Sequence, residues 1–178
     1  SCYLQDFQLE WRFRMSKLLL IDGHSILNRA FYGVPDLTNS EGIHTNAMYG
    51  FLNIMFKFID EEKPDYLAIA FDVHQLTFRH EMFKDYKGTR KPMLPELRQQ
   101  VPLMKELLTA MNITIVEKEG FEADDILGTI AKNSQKQGID VSIVSGDRDL
   151  LQVFYLFDLI DINMVLFEHL LIKLGICL

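Results

Sequence analysis

The stretch FEADDILGT, residues 121–129, places Glu122, Asp124 and Asp125 within four positions, just ahead of an apolar run. Four further acids suit the same chemistry. Asp22 closes KLLLID, Asp72 closes DYLAIAFD, Asp147 closes VSIVSGD, and Asp149 lies two residues on. An Asp after a strand often caps the next helix. Taken singly, Asp22 and Asp72 read as caps, and Asp147 reads equally as cap or ligand. Taken together they crowd charge. Two carboxylates about 4 Å apart repel by about 4 kcal/mol at an effective dielectric near 20. A hard divalent cation with oxygen ligands relieves that repulsion. Such ions polarise phosphoryl groups and activate water. A shared divalent-metal site for phosphoryl chemistry is the economical account of the seven acids.

The elements that must position them follow from the hydrophobic pattern. Short apolar runs at 17–22, 65–72, 113–118 and 141–147 read as buried strands. Helical segments fall at 25–33, 46–63, 95–112 and 122–138. Gly33 and Gly138 fit as helix stops, Asn46 as a cap, and Pro102 as the cause of a kink. Alternating strands and helices predict an α/β fold with a mostly parallel central sheet and helices on both faces. In such sheets ligands bind beyond the carboxyl ends of the strands. The acids fall at those ends.

Residues 74–100 differ in character. Arg79, Lys84, Lys87, Arg90, Lys91 and Arg98 face only Glu81, Asp85 and Glu96, inside a chain of net charge −7. Phe78, Phe83 and Tyr86 are interleaved. A lysine-rich run is commonly a solvated surface loop. Beside an acidic site, cations that meet phosphates and aromatics that stack on bases instead suit a single-stranded polyanion. Rival machinery is absent: there is no Gly-Lys-Ser/Thr phosphate loop, no G-x-G-x-x-G and no G-x-S-x-G. His24, next to the first acid, reads as an orienting residue rather than a base. The two cysteines, Cys2 and Cys177, show no metal spacing, which fits a reducing, intracellular compartment. Charges interrupt the apolar run at 153–178, so no membrane span is expected.

Four segments, LLLIDGHSILNRAFYG, AFDVHQLTFRHEMFKDYKGTRKPMLPELRQQ, GFEADDILGTIA and VSGDRDLLQ, occur in order. Together they resemble the 5′-nuclease domain family of bacterial DNA polymerase I, within the flap-endonuclease, PIN-like superfamily. The resemblance runs from about Lys17 to Gln152. It implies a PIN-like or resolvase-like core over 15–152, preceded by an extension at 1–14. It implies a Mg²⁺- or Mn²⁺-dependent 5′→3′ exonuclease and 5′-flap endonuclease, with two ions in the complete site. DNA with a 5′ end or flap, or an RNA–DNA primer, would be the substrate in replication and repair. The family's metal-binding acids map onto Asp22, Asp72, Glu122, Asp124, Asp125, Asp147 and Asp149. Asp22, Asp72 and Asp124, with Lys87 and Arg90, would carry catalysis. Arg29, Arg79, Lys84, Tyr86, Lys87, Arg90 and Lys91 would contact DNA, most of them from a basic arch over the site. A monomer in the bacterial cytoplasm, associated with the nucleoid, is implied.

After Gln152 the resemblance fades. The family's later pair of acids and its duplex-gripping helical element are not recognisable in the apolar tail at 153–178. A frameshifted or aberrant terminus is the expectation, with weak metal binding and poor flap cleavage. A catalytically weak remnant with residual DNA binding and a PIN-like ribonuclease remain as alternatives. An aspartate-nucleophile phosphatase or receiver-like domain is a third, disfavoured by the crowded acids and the basic segment.

Overall fold

The computed structural model describes residues 15–73, 92–147 and 163–166. Ten elements are described: β1 (Lys17–Asp22), α1 (Gly23–Gly33), α2 (Asn46–Glu62), β2 (Tyr66–Ala70), α3 (Pro95–Arg98), α4 (Gln100–Ala110), β3 (Thr114–Val116), α5 (Ala123–Lys136), β4 (Asp140–Ser145) and β5 (Asn163–Leu166). The sheet order is β3-β2-β1-β4-β5, and every pairing is parallel. This is the expected α/β architecture. β5 falls inside the segment read from sequence as an apolar tail.

The chain steps from β1 outward to β2 and β3, then returns to β4 on the other side of β1. That reversal is a topological switch point, where open parallel sheets leave a crevice at the strand ends. Parallel strands need crossover connections, and one hand is strongly preferred. The reversal therefore sends α5 to the opposite face from α1, α2 and α4.

Strand parity confirms the two faces. Leu19 and Ile21 of β1, Ile69 of β2, Phe71 and Val144 of β4 share a core with residues of α1, α2 and α4. Leu18 and Leu20, Ala70, Val141 and Ile143 pack instead with Ala123, Ile126, Leu127 and Ala131 of α5. Side chains alternate along a strand. Asp22, two residues after Leu20, therefore belongs to the α5 side. So does Asp72, two after Ala70, and Ser145, two after Ile143.

Two local expectations are corrected. Asn46 does not cap α2. Thr45 takes the cap position without a side-chain bond. The fully buried Gln100 replaces it from α4: its Oε1 accepts from Ala47 N at 2.9 Å and Met48 N at 3.2 Å. Its Nε2 donates to Asn46 Oδ1 at 3.0 Å and to Glu96 O at 2.9 Å. Asn46 in turn donates to Phe31 O at 3.0 Å. Second, the expected 95–112 helix is divided at Gln99, one turn ahead of Pro102. A proline offers no N–H to the carbonyl four residues back, here that of Arg98. Within α4, Pro102 sits in the first turn, where a missing N–H costs little. No helix among the described residues is long and apolar enough to cross a membrane.

Candidate metal centre

The carboxyl ends of β1, β2 and β4 and the N-terminus of α5 meet at one edge. Asp22 is buried at the end of β1 and is also the N-cap of α1. Its Oδ1 accepts from Ser25 N at 3.0 Å, and its Oδ2 accepts from Ser145 Oγ at 3.0 Å. The register explains the second bond. Ile21 pairs with Val144, so Ser145 comes level with Asp22. Ser145 Oγ also accepts from Asp147 N at 3.1 Å. One buried hydroxyl thus joins the β1 acid to the backbone of Asp147, two residues past the end of β4.

Asp72 is held from two sides. His24 Nδ1 accepts from its backbone N–H at 3.1 Å. Its Oδ1 accepts from Ala123 N at 2.7 Å, at the first residue of α5. Glu122 is buried at the α5 N-cap. Asp125 turns its carboxylate back to the cap, where Oδ2 accepts from Glu122 N at 3.2 Å. Ser25 Oγ accepts from Gly146 N at 3.0 Å. Arg29 Nε donates to Gly146 O at 3.1 Å, and Arg29 Nη2 contacts the same oxygen. Gly146 allows that approach, since a Cβ there would lie 2.7 Å from Arg29 Cγ.

The electrostatics report the crowding. Burial pushes the Asp22 carboxyl up to about 6, against its bonds from Ser25 and Ser145, and the charges of Asp72 and Asp147 add to the rise. Burial pushes Asp124 up to about 7, reinforced by the charges of Asp22, Asp147, Asp72 and Glu122. Five of the seven acids singled out from sequence, Asp22, Asp72, Glu122, Asp124 and Asp147, therefore feel one another. As placed, no three His, Cys, Asp or Glu side chains among the described residues stand close enough together to hold an ion. The donor set is nonetheless all oxygen, partly desolvated and mutually repelling, which fits a hard divalent cation.

Asp149, Arg79, Lys84, Tyr86, Lys87, Arg90 and Lys91 lie outside the described residues, as do 1–14 and most of 153–178. Sequence reasoning missed Ser25 and Ser145. The available signal for Ser145 was a hydroxyl at the last position of an otherwise buried apolar strand.

Residues 17–169 match the family described as 5′-3′ exonuclease, N-terminal resolvase-like domain. The match extends past Gln152 and includes β5. DNA polymerase I of Bacillus subtilis (strain 168) is 50% identical over 137 residues, covering 77% of this chain and 16% of that protein. The 5′-3′ exonuclease of Aquifex aeolicus (strain VF5) is 40% identical over 139 residues, covering 78% of this chain and 48% of that protein. The chain thus spans about one sixth of the polymerase relative and about half of the exonuclease. A bacteriophage T5 flap endonuclease, solved as a pseudo-enzyme-product complex with DNA and metal ions, shares the fold at TM-score 0.61 and 19% identity. That likeness covers 86% of this chain and 56% of the phage protein. With most of its length matched by the family, and with the relatives' sequences aligned across the same core, the chain belongs to the 5′-3′ exonuclease N-terminal, resolvase-like domain family.

Proposed function

We propose that this chain is the catalytic core of a divalent-metal-dependent 5′→3′ exonuclease and 5′-flap endonuclease, acting on DNA in bacterial primer removal and repair. One observation carries the reading. Burial, reinforced by the charges of neighbouring acids at the ends of β1, β2 and β4 and the start of α5, raises Asp22 to about 6 and Asp124 to about 7. A folded protein that keeps such a cluster has a use for a cation there.

Asp22, Asp72, Glu122, Asp124 and Asp147 would hold the metal, with Asp125 and Asp149 completing the set that the family resemblance implies. Mg²⁺ or Mn²⁺ bound there supplies Lewis-acid polarisation of the scissile phosphate. The chain's own groups do the rest. Ser25 and Ser145 aim the Asp22 carboxylate, and the α5 N-terminus aims Asp72. Arg29 stands at the rim, tied to Gly146 O, as a cation for a neighbouring phosphate. Arg79, Lys84, Lys87, Arg90 and Lys91 would steer the strand, with Tyr86 stacking on a base. Catalysis would rest on Asp22, Asp72 and Asp124 with Lys87 and Arg90. A monomer located with the bacterial chromosome in the cytoplasm completes the proposal.

The test is cleavage of a 5′-labelled flap duplex with Mg²⁺ and with EDTA, comparing the chain with its Asp124→Ala variant. Metal-dependent cleavage that the substitution lowers by a factor of about 10² or more supports the reading. Equal signals from the two proteins would end it. An RNA flap run in parallel reports whether DNA is preferred.

A further inference from the structure

We infer that His24 is a positioning residue for Asp72, its imidazole accepting the Asp72 backbone N–H through Nδ1 and thereby fixing that acid relative to Asp22. The inference rests on the reading of Asp72 as a metal acid and adds a residue that acts only through it.

The starting point is where the backbone bonds of this segment go. β2 pairs with β1 as far as Asp22↔Ala70 and with β3 as far as Ala70↔Val116. Phe71 N still reaches Val116 O at 3.1 Å. At Asp72 the ladder has ended. A backbone N–H in a half-buried position needs an acceptor. His24 Nδ1 supplies it at 3.1 Å, from a residue 48 positions away in sequence.

The bond fixes the state of the ring. A backbone N–H can only donate, so Nδ1 presents a lone pair and the ring proton sits on Nε2. The same nitrogen lies 3.9 Å from Asp72 Oδ2, too far for a hydrogen bond. The contact is therefore with the Asp72 backbone and not with its carboxylate. The carboxylate is aimed separately, by Ala123 N at 2.7 Å.

The ring itself is well seated. Its centroid stands 5.3 Å from that of Phe71 with the planes at 79°, an edge-to-face contact. Phe71 is fully buried. Gly23 makes room for it, since a Cβ at Gly23 would lie 2.6 Å from the Phe71 ring. Asp22, Gly23 and His24 are consecutive, so the first turn of α1 carries the β1 acid and the device that sets the β2 acid. Groups that hold a metal-binding residue from outside typically change metal affinity by 10–100-fold when removed.

Three variants separate this role from simple packing. His24→Asn can place its amide oxygen near the position of Nδ1. His24→Gln reaches the position of Nε2 instead. His24→Leu keeps bulk and offers no acceptor. The first readout is amide exchange at Asp72 in the metal-free chain. The second is the Mn²⁺ concentration for half-saturation, by calorimetry, together with the Mg²⁺ dependence of flap cleavage.

Wild type and His24→Asn are expected to protect the Asp72 amide alike. His24→Gln and His24→Leu should exchange it roughly tenfold faster or more. Their metal half-saturation should rise about 10–100-fold, with His24→Asn within about threefold of wild type. Protection of the Leu20 and Ile143 amides checks that the sheet is intact. If His24→Leu fails to fold, the Asn and Gln pair decides. An Asn variant no better than Gln, or a Leu variant with wild-type protection and metal affinity, overturns the inference. A wild-type chain that binds Mn²⁺ but cuts no DNA would remove the proposed nuclease and leave His24 supported by exchange and affinity. A wild-type chain that binds no divalent ion removes the underlying metal reading, and with it this role.

Discussion

Replacing Asp124 by Asn should make the metal-free protein more stable, and only where the carboxyl would otherwise ionise. Burial and four neighbouring acids raise Asp124 from 3.8 to about 7. Each tenfold change in proton affinity is worth about 1.36 kcal/mol. The ionised form is therefore disfavoured in the folded state by about 4 kcal/mol. The folded carboxyl binds its proton more tightly than the unfolded chain does. Its contribution to stability is fully present below about pH 4 and is lost as pH rises through about 7. An amide has no such loss.

The two proteins should therefore differ by about 4 kcal/mol at pH 8 and by only about 1.5 kcal/mol at pH 5. Urea denaturation in EDTA at the two pH values measures this directly. Any hydrogen bond that the amide gains or loses is the same at both, so the change in the gap isolates the charge. Parallel pH profiles would refute the account, because Asp124 would then lack the raised proton affinity that burial and its neighbours give it. Excess Mg²⁺ should narrow the gap at pH 8. A ligand at 100 times its dissociation constant adds about 2.7 kcal/mol to a protein that binds it. The wild type should gain this and the variant much less.

Ser145→Ala removes the buried donor to Asp22 Oδ2 and the acceptor for Asp147 N. It should cost about 1–3 kcal/mol in urea denaturation, and an unchanged midpoint would show those bonds to be idle. Gly23→Ala places a Cβ 2.6 Å from the Phe71 ring and should cost about 1–3 kcal/mol through a displaced ring. A crystal structure with Phe71 unmoved and full stability would contradict it. Gln100→Leu strips the Ala47 and Met48 N–H groups of their shared acceptor. Thermal melting should show a loss of about 2–4 kcal/mol, since buried donors are left unmade.

The acids and their approximate meeting place were legible because strand ends and helix starts are local signals. The faces were not. In β1 the residues Leu18 through Ile21 are all buried and apolar, so no alternation marks which side Asp22 takes. A strand covered on both sides loses the period that would betray it. Only the return of the chain to β4, and the placing of α5 on the far face, assign Asp22, Asp72 and Ser145 to one side. The cap of α2 was misread for a related reason. Asn46 is a plausible local cap, but its acceptor is taken by Gln100 from 54 positions away, and no window on the sequence contains both.

The opposition between cap and ligand dissolves in the structure. Asp22 caps α1 through Oδ1, and Asp72 Oδ1 receives the first N–H of α5. A helix N-terminus stabilises negative charge and fixes its direction. That suits a carboxylate that must point the same way in every molecule. Among the described residues no N–H donates to the Asp124 carboxyl: its raised proton affinity comes from burial first and from Asp22, Asp147, Asp72 and Glu122 next. The acids tied to N–H donors are the fixed part of the cluster, and Asp124 is the part whose charge depends most on what is bound. Metal binding at pH 6.5 should therefore displace more proton from Asp124, near 7, than from Asp22, near 6, and a proton count that does not fall in Asp124→Asn would sink that ordering.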